Sequence, residues 1–418
     1  MARKALKKGV KASLLGVLVL FIIMVALVSA FTGNKIQFNV KNKLTSKEKN
    51  TEVWPKVSKI SLVATGDGLL HNAVYYDAYD RNTKTFDFSP QLSMIKDIIS
   101  NYDIAYYNQE TTFGGARTER FNGNPNQIPG YDSYPYFNSP SEFGDAMVDA
   151  GFNMVSLASN HSADCTWAVK TCIVNSYNYW QGKDIVFDGF NTTPESTNNY
   201  IIKEKNGIKY TMLNYTTSLN GLNSYIKNDP YLIDMYDEEK VKADIEEVRN
   251  KVDVLIVAMH WHTGPEYSFN VTTENKEIAE YLSSLGVDIV LGTYSHCLQP
   301  FDIINDGKTV VFYSLGNFIS NQGDLVQSIG YKGIIGVLAS MDITKTEEKN
   351  GTINIKIDNL GADLTYTYNK NHTGYRVIPF SKMTAEYNTN YKEIYEEYKN
   401  ILTGYNKNIT FKEIGSNL

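Results

Sequence analysis

Two apolar runs that stop at histidine constrain this chain more than any other feature. V-L-I-V-A-M-H-W-H begins at Val254, and G-V-D-I-V-L-G-T-Y-S-H-C-L-Q begins at Gly286. Three of the six histidines, His260, His262 and His296, sit at the ends of these runs. A short run of β-branched and apolar residues that stops at a polar cluster is the pattern of a strand buried on both faces and emptying into a loop. In open α/β sheets ligands bind at that loop edge.

The rest of the chain repeats the pattern. I-S-L-V-A-T ends at Gly66-Asp67-Gly68, D-I-A-Y-Y ends at Asn108-Gln109-Glu110, and N-M-V-S-L-A ends at Ser159-Asn160-His161. A further run, T-V-V-F-Y, ends at Ser314 to Phe318, and weaker strands are expected around 184–187 and 209–214. Helix signals alternate with these strands. One amphipathic helix is expected over 90–100, with Pro90 in its first turn, and a second starts at Ser141 and stops at Ala150-Gly151. A third opens at Asp237 with the stripe Val241, Ile245 and Val248, and a fourth is capped by Thr273 and stops at Leu285-Gly286. The alternation predicts an α/β fold, a mainly parallel sheet with helices on its outer faces. After Asn321 the runs G-I-I-G-V-L-A-S-M, I-N-I-K-I and D-L-T-Y-T-Y read as antiparallel strands that extend or cover the sheet. Tyr387, Tyr391, Ile394, Tyr395, Tyr398, Ile401 and Leu402 then fall at helical spacing, so a terminal amphipathic helix is expected to pack back.

If the strands are parallel, five successive ends bring Asp67, Asn108 with Glu110, Asn160 with His161, His260 and His296 to one edge. Each alone would ordinarily be a satisfied core residue. Five in a row point to a shared site built from donors that hold hard or borderline metals. Two divalent ions held this way can clamp an oxyanion and activate water, with His161 serving as the general acid for the leaving group. The Gly-, Asn-, Pro- and Tyr-rich segment 111–138 is expected to be a loop over that site.

The N-terminus is a separate matter. Arg3, Lys4, Lys7, Lys8 and Lys11 precede an uncharged run from Ser13 to Phe31. Such a run just spans a bilayer core of about 30 Å. It reads as a single transmembrane anchor (13–31) with a cytoplasmic basic tail (1–12), which puts the bulk of the chain outside the cell membrane. The alternative is a cleaved signal peptide, since Val28-Ser29-Ala30 resembles a cleavage site. The polar stretch 32–57 reads as a tether. Taking five positive and no negative charges from a net of −6 leaves −11 for the part after Phe31. That balance excludes nucleic acid as a partner. Cys165 and Cys172 fit either a short disulfide or two buried thiols on a helix, and Cys297 packs beneath a loop or acts as a soft ligand. The 30 tyrosines reflect composition bias, or else semi-exposed surface for polymer contact.

G-D-G-L-L, N-Q-E, S-N-H-S-A-D, H-W-H-T-G-P-E-Y, G-T-Y-S-H-C-L-Q-P and Y-S-L-G-N-F, in this order, resemble the serial motifs of the CapA, or poly-γ-glutamate capsule synthesis, family. The resemblance covers about 58–380 and leaves 381–418 as a C-terminal helix and tail. It implies a metallo-dependent phosphatase-like layered sheet of the calcineurin type, one or two divalent ions of the Mn, Zn, Fe or Mg class, and a membrane-anchored role in synthesis, export or attachment of an anionic surface polymer. Implied partners are that polymer, membrane-embedded synthesis subunits, and lipid through the N-terminal helix. It also implies Asp67, Glu110, Asn160, His260 and His296 as metal positions and His161, Asp164 and Glu266 as catalytic ones, with Asn317 in support. Two positions depart from the pattern. Leu69 stands where the wider phosphatase motif has histidine, with His71 two residues further on and read as lying on a helix face. Tyr294 replaces one imidazole of the last motif, and His262 is the expected substitute ligand. A non-catalytic polymer-binding subunit and a surface metallophosphoesterase unrelated to capsule are the alternative readings.

Overall fold

The computed structural model describes residues 53–117, 130–325 and 327–416. The basic tail, the anchor at 13–31 and most of the tether lie outside the described residues, and no helix among the described residues is long and apolar enough to cross a membrane. The described residues from Trp54 onward form one compact unit.

A strict alternation along the strands builds this unit. On Lys56–Gly68 the even residues Ile60, Leu62 and Ala64 enter one core cluster while Val63 enters another. Ile104 and Tyr106 against Ala105 and Tyr107 do the same, as do Met154 against Val155 and Val186 against Phe187. In the second half, Ile256, Ala258, Ile289 and Leu291 join the cluster of Ile60 and Leu62, while Leu255, Val257 and Val290 face away. Side chains of a strand alternate between faces, so a strand with apolar residues at every position must be covered twice. Here one cover is shared. Two sheets stack face to face, and each carries helices on its outer side.

The expectation of a single mainly parallel sheet is therefore corrected. The first sheet runs in the order Arg376–Pro379, Ile353–Tyr368, Ile335–Glu347, Lys56–Gly68, Ile104–Gln109, Met154–Ser156, Val186–Asp188. Its last four strands are parallel, and the antiparallel strands after residue 334 extend it. The second sheet runs Phe301–Ile304, Thr309–Phe312, Ile289–Thr293, Val254–His260, Ile208–Thr216, Lys203–Lys205, with a parallel centre and antiparallel edges. The helices Glu142–Ala150 and Val169–Gln181 cover the outside of the first sheet through Phe143, Met147, Ile173 and Trp180. The helices Glu238–Val248 and Thr273–Ser284 cover the second through Val241, Ile245, Ile278 and Leu282. The fold is a four-layer α/β.

Several local expectations change in detail. The helix expected over 90–100 is two short pieces, Ser89–Leu92 and Lys96–Ile99. Ser93 Oγ donates to the Pro90 carbonyl at 2.8 Å, a local bond that competes with helix propagation. Ser141 stands at the N-cap but makes no capping bond, whereas Gly151, at φ 110°, ends that helix in the left-handed region. Thr272, not Thr273, caps its helix by accepting the Asn275 N–H, and Asp237 accepts from Lys240 N as expected. Cys165 and Cys172 are bridged, and Cys297 is buried with its thiol on the Ser268 carbonyl. Burial pushes that thiol up to about 12.

The terminal helix Tyr391–Leu402 places Ile394, Tyr395, Tyr398 and Leu402 in the same cluster as the facing sides of both sheets. It is thus part of the core and not an appendage. Tyr398→Ala is expected to cost about 3–5 kcal/mol, the ordinary effect of emptying a fully buried aromatic site, measured by denaturant unfolding. A cost below about 1 kcal/mol would mean that the helix does not close the core.

Candidate metal centre

The alternation that fills the middle layer also aims the site residues. His260 and Asn108 are even-numbered strand residues, so they continue the inward rows of their strands beyond the last apolar side chain. They meet across the two sheets, with Asn108 Nδ2 3.4 Å from His260 Nδ1. Asp67 is odd and by simple alternation would face the helices. A β-bulge corrects this: Ala64 pairs with Tyr106 but Asp67 pairs with Asn108, so three steps on one strand match two on its neighbour. Asp67 Oδ1 then accepts from Asn108 Nδ2 at 2.8 Å, and Asn108 Oδ1 is itself fixed by Ser156 Oγ at 2.7 Å. Gly66 lies in the bulge, where an added Cβ would stand 1.7 Å from the Gly316 carbonyl oxygen. Only glycine allows that approach.

The loop after Ile289–Thr293 brings the last histidine. Tyr294 has φ 97° and His296 φ 56°, both in the left-handed region that side chains other than glycine seldom occupy. Such residues cost on the order of 1–3 kcal/mol each and gather at functional sites. The turn places His296 Nδ1 3.4 Å from Asp67 Oδ2, 3.7 Å from Glu110 Oε2 and 3.1 Å from Asn317 Oδ1. On the other side, His260 Nε2 lies 3.5 Å from Glu110 Oε1 and 2.9 Å from Asn160 Oδ1, and Thr293 Oγ1 sits 2.9 Å from its Nδ1. The two oxygens of Glu110 therefore face two donor sets, His296 with Asp67 and His260 with Asn160. Asp67, Glu110 and His296 each offer one ligand atom, all within 4.8 Å of one another.

Burial here is nearly complete. Asp67, Glu110 and His260 are 0% exposed, and His296 and Asn160 1%. Asp67 Oδ2 and both oxygens of Glu110 are buried without a hydrogen-bond donor. A carboxylate in that position costs several kcal/mol unless a cation compensates it, on the order of what an ion pair supplies. Burial, then the charge of Asp67, holds the Glu110 carboxyl well above the usual carboxylate range. Burial keeps His260 well below the usual imidazole value, so it is neutral and available as a donor of its lone pair. For His296 burial pulls down, but the contact with Asp67 outweighs it and leaves the ring raised. Hard oxygens, the neutral imidazole of His260 and two carboxyls with unpartnered oxygens fit a divalent cation.

His161 stands beside this group with a separate partner. Its Nδ1 lies 2.6 Å from Asp164 Oδ2, and its Nε2 is 4.0 Å from Glu110 Oε1. Burial raises the Asp164 carboxyl, and the His161 charge opposes that shift. Phe137 fixes both residues: its N–H donates to Asp164 Oδ2 at 2.7 Å, and its ring packs edge-on to His161 at 4.7 Å. The loop 111–138 thus has buried ends, while 118–129 lies outside the described residues.

Not every expected residue joins the cluster. His262 is half-buried, its ring is stacked on Tyr294 at 4.2 Å, and its Nδ1 is buried without a hydrogen-bond partner. It lies outside the three-residue group, though its field reaches His260. Glu266 is exposed on the same loop and acts on Glu110 and His296 through charge alone. His71 departs from the reading of a residue on a helix face. It is a buried N-cap whose Nδ1 accepts the Asn321 N–H at 3.2 Å, with its ring edge-on to Phe137. Burial lowers it to about 3, so it is neutral. Thr293 and Phe137 were not legible as site residues, because neither carries a chemistry that a motif would reveal.

The family profile described as "Bacterial capsule synthesis protein PGA_cap" matches residues 61–322, more than half of the chain. "Capsule biosynthesis protein CapA" of Bacillus anthracis is 25% identical over 195 residues, 46% of this chain and 46% of that protein. "PGA biosynthesis protein CapA" of Bacillus subtilis (strain 168) is 27% identical over 192 residues, 46% of this chain and 49% of that protein. The chain thus spans about half the length of the curated relatives it matches. Among solved structures, the "calcineurin-like phosphoesterase YfkN from Bacillus subtilis" aligns over 72% of this chain and 90% of that one, with 14% identity and a TM-score of 0.39. A 5′-nucleotidase precursor from Thermus thermophilus aligns over 81% of this chain and 58% of that one, with 11% identity and a TM-score of 0.38.

Two substitutions test the geometry. Gly66→Ala should destabilise the protein by about 2–3 kcal/mol, because the Gly316 backbone must move, and should lower metal content with it. Unchanged thermal unfolding and metal content would refute the bulge. Glu110→Gln should raise the melting temperature of chelator-treated protein by several degrees, since it removes an uncompensated buried carboxyl, and should abolish stabilisation by added Mn²⁺ or Zn²⁺. A variant that still gains stability from the ion would place the cation elsewhere.

Proposed function

This chain belongs to the bacterial capsule synthesis protein PGA_cap family, and from that premise we propose that it is a membrane-anchored, extracytoplasmic protein acting in synthesis, export or attachment of poly-γ-glutamate or a similar anionic surface polymer, with a metallophosphatase-type centre that hydrolyses an ester. The observation that carries the reading is the Asp67–Glu110 pair, two wholly buried carboxyls whose free oxygens meet the His296 ring. The Cys165–Cys172 bridge supports an oxidising location outside the cytoplasm. The uncharged run 13–31 after five basic residues supports the anchor.

Asp67, Glu110 and His296 would hold one divalent ion, and Glu110, Asn160 and His260 would contribute to a second. Ions of the Mn, Zn, Fe or Mg class supply Lewis acidity and a water of lowered pKa at such a site. The chain's own residues do the rest. Asn108 orients Asp67 through its amide, and Thr293 fixes the ring plane of His260. Asp164 holds Nδ1 of His161, which leaves Nε2 on the side of Glu110 to give a proton to a departing oxygen. The charge of −11 after residue 31 opposes approach of a polyanion, and bound cations would relieve it locally.

A second reading, a polymer-binding subunit without turnover, is favoured by Tyr294. This residue occupies a ligand position of the motif and stacks on His262. Metal analysis of the purified full-length chain separates the two. Hydrolysis predicts at least one tightly held divalent ion per chain and turnover of bis(p-nitrophenyl) phosphate. His161→Asn should cut that turnover about a hundredfold with metal content unchanged. Retained metal and bound polymer with no turnover would favour the binding role. His262→Ala should lower metal content if His262 replaces the missing imidazole, and an unchanged content ends that idea. Normal surface polymer after deletion of the gene would point to a phosphoesterase unrelated to capsule.

A further inference from the structure

Exposed aromatic side chains are not spread evenly over this protein. Among the described residues six are exposed, and four of them, Tyr76, Tyr134, Tyr136 and Trp167, line one cleft of about 420 Å³. Tyr134 is 75% exposed, although an aromatic ring left in water forfeits the burial that usually stabilises it. An aromatic cluster of this kind marks a surface kept for a partner. The volume lies within the range of small-ligand sites.

The cleft adjoins the metal centre. Tyr136 is followed directly by Phe137, which bonds Asp164 and packs on His161. Asn72, next to the buried His71, donates its N–H to Ser133 Oγ at 2.9 Å and ties the far wall to the same loop. The cleft and the His161–Asp164 pair thus share one loop, through Tyr136 and Phe137.

Charge decides between occupants. The guanidinium of Arg117 lies 4.1 Å over the Trp167 ring and 4.0 Å from Asp132, so the cation lining the cleft is matched by a carboxylate. With no excess of positive charge, and on a chain of net −6, the cleft offers a polyanion little attraction. A neutral pyranose ring suits it better. The C–H face of such a ring lies flat on tyrosine or tryptophan, and its hydroxyls can exchange hydrogen bonds with Arg117, Asp132 and Asn72. We propose that this cleft is a subsite for the sugar rings of a glycan, placed to present a carbohydrate to the centre at His161. The inference rests on the proposed function only for what the centre does to the glycan; binding in the cleft does not require the metal.

The test is isothermal titration of the full-length chain, kept in a zwitterionic detergent that carries no sugar, with chitohexaose and with cellohexaose, before and after chelation. At least one of these should bind saturably with the same affinity in both states. Tyr134→Ala and Trp167→Ala should each weaken it about tenfold, the loss expected for one stacking surface. Both residues are exposed, so unfolding temperatures should stay unchanged and report that the fold is intact. Absence of saturable binding by either sugar, or binding indifferent to both substitutions, overturns the proposal. So does a poly-γ-glutamate oligomer that binds in their place and is weakened by the same substitutions. Failure of the metal reading looks different: no divalent ion is found while sugar binding persists.

Discussion

Two carboxyl groups buried side by side govern this structure. Asp67 and Glu110 are wholly removed from water, and three of their four oxygens lack a hydrogen-bond donor. In a medium of low dielectric such a pair repels itself and carries a desolvation cost that nothing in the surrounding protein fully offsets. The neighbourhood is built to tolerate it. The fourth oxygen accepts from Asn108, His296 lies near both groups, and neutral His260 approaches the opposite oxygen of Glu110. A divalent cation bound between them would offset that cost.

That pair can exist only because two sheets face each other. Val254–His260 and Ile104–Gln109 belong to different sheets, yet His260 and Asn108 come within 3.4 Å because both point into the shared middle layer. The apolar rows beneath them, Ile256 and Ala258 on one side and Tyr106 on the other, fix the spacing. Asp67 joins through the bulge, which moves it to the face that strict alternation denies it. The site is thus the polar rim of the same layer whose lower part is the hydrophobic core. Mutations that disturb the packing of that layer act on the geometry of the site too.

The departure at Tyr294 has a structural counterpart. Its backbone adopts the left-handed conformation, as does that of His296, and the turn carries His296 inward. The ring stacks on His262 and stands edge-on to His260 at 5.7 Å. His262 is held on the rim by this stacking, with Nδ1 turned away from water. The centre therefore combines one compact donor group with a looser half, and the two halves share Glu110.

Much of this was legible in the sequence because it depends on local periodicity. Strand runs, the caps at Asp237 and Gly151, and the donors Asp67, Glu110, Asn160, His260 and His296 at strand ends all follow from which residues alternate and where the apolar run stops. Motif resemblance picked out both His161 and Asp164, and the structure brings them within 2.6 Å of each other. Tertiary structure alone decided the remainder. Whether strands share a sheet depends on which faces find a partner, and an all-apolar strand carries no mark of that choice. A bulge leaves the composition of its strand unchanged, so the turn of Asp67 toward Asn108 appears only once the register of the neighbour is known. Phe137 and Thr293 enter the site from distant segments, and their chemistry is ordinary until packing gives them a neighbour. Residue types set what the donors can bind, and the facing of two sheets set which of them meet.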